Sequence, residues 1–124
     1  MPMIDARDVG VAAATILANP AAHAGKTYTI TGPSAVSLDQ VAAAIGEAVG
    51  KPVKYVAVPV AAVVDMLTQM GLSDFNQVAL RDYFTAYSKG WMDSVTSSFK
   101  DVTGKEPRGI GEFARDFAVA FGKR

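Results

Sequence analysis

Phe75, Tyr83, Phe84 and Tyr87 recur through one helical pattern, with Trp91 just past its end. Rings at this spacing could form a flat wall, and flat aromatic walls suit flat ligands such as quinones. Their chemistry would be stacking and positioning rather than proton transfer, and these five residues are the candidate substrate-binding set. The same spacing also describes a core face, so both readings stand at this point.

Other chemistry-bearing residues are few. Asp5 and Asp8 could divide acid and base roles if their environments differed. They also stand just ahead of Val9, Ala12, Ala13, Ile16 and Leu17, where helix capping explains them better. His23 is the sole histidine and there is no cysteine, so neither an imidazole-rich nor a thiolate zinc site is available. No orienting carboxylate stands near His23, which reads as a solvated loop residue rather than a base. A dinucleotide site needs glycines at a strand-to-helix turn, where a backbone without Cβ lets pyrophosphate approach the helix N-terminus. No G-x-G-x-x-G occurs. The richest glycine cluster, Gly104-Lys105-Glu106-Pro107-Arg108-Gly109-Ile110-Gly111, carries a proline and a glutamate that suit a phosphate cradle poorly. The expected catalytic, cofactor-binding and metal sets are therefore empty.

The elements that position these residues are legible from caps and periodicity. A first helix begins near Asp5 and stops at Asn19-Pro20, and Ala21 to Gly25 reads as loop. Lys26 to Thr31 is β-branched and aromatic and ends at Gly32-Pro33, which predicts a short strand. Ser37 with Gln40 forms a capping box, predicting a helix from about Leu38 to Val49 that Gly50 ends. Val53 to Val58 repeats the strand composition, and Pro59 opens a helix carrying Val60, Val63, Val64, Leu67 and Met70. Asp74 with Gln77 predicts a second capping box at the head of the aromatic helix, which Gly90 closes. Ser97 begins a short helical turn ending at Gly104, and a last, weakly capped helix aligns Phe113, Phe117, Ala120 and Phe121. The expectation is one mostly helical α/β domain over residues 1–124, with five to six helices and two short parallel strands joined by a right-handed crossover.

Composition narrows the function classes. Half of the 124 residues are apolar, which supports a folded core. Twelve basic residues balance twelve acidic ones and are dispersed along the chain, leaving no electrostatic footprint for nucleic acid. The opening residues lack the pattern of a secretory signal, and the most apolar run, Tyr55 to Val64, is too short to span a bilayer. With no cysteine, a cytoplasmic location is the default expectation.

Taken in order, several segments resemble the C-terminal portion of NmrA-like proteins, which are atypical short-chain dehydrogenases/reductases, especially their quinone-oxidoreductase-2-like branch. The resemblance rests on Asp5-Ala6-Arg7-Asp8-Val9, on Gly25-Lys26-Thr27-Tyr28-Thr29-Ile30-Thr31-Gly32-Pro33, and on the Ser37-capped helix before Gly50-Lys51-Pro52-Val53-Lys54-Tyr55. Gly71-Leu72, Lys89-Gly90 and Thr103-Gly104-Lys105-Glu106-Pro107 continue it toward a final Phe-bearing helix. It implies that a Rossmann half outside this chain holds NADP or NAD, while the portion seen here closes a cleft over it. This chain alone is then expected to hold no cofactor and to be inactive by itself.

Two functions follow. The chain is either the substrate-side lobe of a reductase, served by a separate Rossmann-type half, or a free-standing non-enzymatic module that binds a small hydrophobic ligand or a protein. Surfaces that relatives bury against the Rossmann half would face water here, and the strand Lys26 to Thr31 would leave an open edge. Self-association, most simply a homodimer, is therefore expected.

Overall fold

The computed structural model describes residues 1–122, and among these the chain forms seven helices and no strand. They are α1 Ala6–Ala18, α2 Pro20–His23, α3 Leu38–Val49, α4 Val60–Gln69, α5 Asp74–Ser88, α6 Ser98–Thr103 and α7 Ile110–Asp116. The chain divides into two compact units, one built from Met1–Lys54 with the chain from Ser94 onward, the other from Tyr55–Asp93.

The expected α/β architecture with two parallel strands is incorrect, and so is the crossover joining them. A strand exists only when paired, whatever its composition. Lys26 to Thr31 is tied instead by isolated contacts. The N–H of Gly32 donates to Pro2 O, the Thr96 hydroxyl donates to Thr29 O, and the Thr31 hydroxyl accepts from the Thr96 N–H at 3.0 Å. Val53 to Val58 straddles the division between the units and is exposed throughout. The two segments build no ladder, so β-branched composition here yields irregular chain. The open strand edge invoked for self-association is absent with them.

In the first unit, the caps carry the local structure. Asp5 extends before α1 and its carboxylate accepts from Arg7 N–H at 2.8 Å. Pro20 fits the first turn of α2, so the predicted loop contains a short helical turn, and His23 sits in it. The Ser37–Gln40 box closes in both directions, at 3.2 and 2.8 Å, and Gly50 ends α3 in the left-handed conformation with φ 70°. Small residues then let helices approach closely. Ala48 of α3 is buried with Ala114 and Ala118 at and just past α7, with Ala44 and Ile45 packed beside them. α1 packs on α6, and Ala12 and Phe99, from these two helices, are each only 2% exposed. Gly32 permits another close approach, since a Cβ there would lie 2.0 Å from Met3 O.

The second unit is the hairpin of α4 and α5. Val60, Val63, Val64 and Leu67 on α4, Leu72 in the turn, and Leu80, Phe84, Ala86 and Tyr87 on α5 are its half-buried apolar residues. None of its residues is fully buried. The predicted Asp74–Gln77 box does not form. Ser73 is the N-cap, and the Gln77 amide donates to Leu72 O at 2.8 Å while its carbonyl oxygen accepts from the Thr68 hydroxyl at 2.9 Å. The side chain thus ties the hairpin turn rather than the helix end.

Candidate functional site

Of the five predicted aromatics, the structure brings three together. Tyr83 and Phe84 meet edge to face with centroids 5.5 Å apart, and Tyr87 follows one turn later. Phe84 and Tyr87 are half-buried on the side of α5 that carries Leu80, whereas Tyr83 is 39% exposed. Phe75 stands apart: at 1.5 Å per residue it lies about 12 Å along the axis from Tyr83, and nine positions place it roughly 180° around the helix from Phe84. It is 81% exposed. Trp91 follows the helix end, 70% exposed, with the Lys89 ammonium 4.7 Å from its ring centroid. The apparent stripe therefore resolves into a packed seam (Phe84, Tyr87), a flanking ring (Tyr83) and an outer face (Phe75). Leu80, overlooked among the rings, occupies the seam, and its i–4 relation to Phe84 was the signal that could have found it.

The two carboxylates at the head of α1, of which Asp5 is its N-cap, are also buried anchors. Asp5 is held by the Arg7 guanidinium through Nε at 3.0 Å and Nη2 at 2.6 Å, and the hydrogen bond from the Arg7 side chain keeps its carboxyl below the ordinary value of 3.8. Arg7 also reaches Asp116 at 2.8 Å and lies over the Phe117 ring at 5.0 Å. Asp8 accepts from the Arg108 N–H at 2.6 Å and from its guanidinium, whose Nε is 3.3 Å from Glu112. Sequence reasoning missed this pairing because its partners lie a hundred residues apart.

A cleft of about 140 Å³ opens beside this network, lined by Met3, Ile4, Ile110 and Phe113 together with Asp5 and Arg108. Both charged groups are already matched inside the protein, so the cleft offers neither a free acid nor a free base. The Gly104–Gly111 segment also fits a dinucleotide poorly. The Arg108 N–H is taken by Asp8, and Glu112 occupies the first turn of α7, where a phosphate would meet negative charge. His23 Nδ1 lies 2.8 Å from the Tyr28 hydroxyl, and no group of three metal-ligating side chains occurs among the described residues. None of the described helices is long and apolar enough to cross a membrane.

This set of helices, with its aromatic hairpin, matches known proteins. The profile of the NmrA-like family covers residues 1–114, and the chain belongs to that family, as its motifs implied. It is 35% identical over 119 residues to an NAD(P)H azoreductase of Xenophilus azovorans, covering 96% of this chain and 41% of that protein. An uncharacterized oxidoreductase of Bacillus subtilis is 33% identical over 94% of the chain and 40% of its own length. Among solved structures, an NADPH-dependent quinone oxidoreductase from Escherichia coli superposes with a TM-score of 0.79 at 27% identity, covering 94% of this chain and 42% of that one. The chain therefore spans about two fifths of the length of these relatives.

Proposed function

We propose that this chain is the substrate-side lobe of an NmrA-like NAD(P)H-dependent reductase, in which α5 positions a flat acceptor such as a quinone. The nicotinamide is bound by residues outside this chain, and the chain alone does not turn over. The observation that carries the reading is the alignment of nearly the whole chain with about two fifths of an NAD(P)H azoreductase. Tyr83, with Trp91 beyond it, gives the acceptor a face to lie on, while Phe84, Tyr87 and Leu80 hold that face against α4. The contribution is orientation, since a bound acceptor loses the freedom that would otherwise slow its reaction. The cysteine-free composition supports a cytoplasmic setting.

Calorimetric titration of the purified chain with a naphthoquinone tests this. Saturable binding that Tyr83→Ala weakens about fivefold, the value of one lost aromatic contact, and that Phe75→Ala leaves unchanged supports the reading. No saturable binding, or equal loss in both variants, contradicts it.

A further inference from the structure

The end of α5 holds one cation beside the exposed indole, and backbone geometry keeps it there. Gly90 takes the left-handed conformation at φ 70°, its N–H donates to Tyr87 O at 3.0 Å, and the Trp91 N–H donates to Ala86 O at 3.2 Å. This pair of bonds closes the helix and fixes the reversal of the chain after Lys89, the C-cap residue. The reversal brings Trp91 under the Lys89 side chain, whose ammonium lies 4.7 Å from the indole centroid. Both residues are exposed, Trp91 at 70%.

The charges of the hairpin unit single this lysine out. Arg81 and Lys89 are its only cations, and Arg81 is met by the neighbouring Asp82 at 3.5 Å. Lys89 makes no ion pair among the described residues. The acid nearest to it in sequence, Asp93, has its carboxylate against Gly90, 3.1 Å from where a Cβ there would stand, and has a partner of its own.

A ring that stacks where the ammonium now lies must displace it. A neutral ring leaves the ammonium only water, so the contact with the indole is lost without replacement. A ring that carries an anionic group receives it instead, because the flexible four-carbon stem lets the ammonium swing from the indole face to the edge of the ring. We propose that Lys89 makes the Trp91 face selective for flat acceptors bearing a carboxylate or sulfonate. This rests on the reading of Tyr83 and Trp91 as the acceptor's face, and adds to it the charge that the acceptor carries. The selectivity is modest, since an exposed ion pair strengthens binding by up to about fivefold, and salt weakens it.

Trp91 is the sole tryptophan, so saturable quenching of its fluorescence reports occupancy of this face. The test is a titration of the full chain with an anthraquinone sulfonate and, separately, with the neutral hydroxymethyl anthraquinone. The expected result at low salt is binding of the sulfonate about three- to fivefold tighter, shrinking toward parity at about 1 M salt, where charges are screened within about 3 Å. Lys89→Gln should bring the two dissociation constants together, whereas Lys89→Arg, which keeps the charge, should keep most of the preference. Circular dichroism establishes that both variants are folded, and the salt dependence of the parent carries the test for any that is not. Equal binding of the two quinones by the parent overturns the proposal while leaving the acceptor face standing. So does a preference that Lys89→Gln or high salt preserves. Saturable quenching by neither quinone overturns both readings.

Discussion

The Asp8 carboxylate, 2% exposed, accepts the Arg108 N–H at 2.6 Å and so fixes the entry of α7 from the first turn of α1. Gly109, the N-cap of α7, has no side chain with which to cap it. Asp8 instead anchors the residue just before that N-cap, from the far end of the chain.

Removing that carboxylate should loosen α7 and the alanine core it shares with α3. Asp8→Ala leaves the Arg108 N–H and guanidinium without their partner, and with Arg108 one third exposed the expected cost is about 2 to 3 kcal/mol. Urea denaturation followed by circular dichroism measures it. Asp8→Asn, which keeps an acceptor, should cost less.

Stability should also fall on acidification through Asp5. Its carboxyl is held below its unfolded value by the Arg7 side chain, so the folded state keeps it ionised where the unfolded chain takes up a proton. That contribution is present above about pH 4, the ordinary carboxylate value, and is lost as pH falls through the lower folded value. Urea midpoints across this window should decline less steeply in Asp5→Asn than in the parent.

Ser37→Ala should cost about 1 kcal/mol by removing one arm of a closed capping box, again read as a shift in urea midpoint. Gln40→Ala removes the other arm and should cost less, since it leaves the Ser37 hydroxyl in place.

Gly32→Ala tests the close approach of the N-terminal segment. The added methyl would meet Met3 O at 2.0 Å, a backbone atom that cannot rotate aside. The segment must move, at a cost of about 2 to 3 kcal/mol, and thermal melting should show it.

How far the sequence discloses the fold depends on whether a signal is local. Ser37, Gln40 and Gly50 fix α3 to the residue because capping needs only neighbours in the chain. Gly104 marks the end of α6 for the same reason. The strands fail because pairing is a property of two segments, and Lys26 to Thr31 carries no sign that its partners are Pro2 and Thr96. Gln77 fails similarly, since Leu72 O and Thr68 compete for the side chain only once the hairpin has formed. At the aromatic helix, residue types were legible but their faces were not. Phe75 and Phe84 share a spacing, whereas helical geometry sets them on opposite sides, with Leu80 on the side of Phe84.

The proposed role gives this chain an acceptor wall and no grip on the nicotinamide. It is met most directly by following NADPH absorbance when the purified chain is mixed with NADPH and a quinone, no second polypeptide being present. No oxidation above the protein-free rate is expected. Sustained, protein-dependent turnover would contradict it.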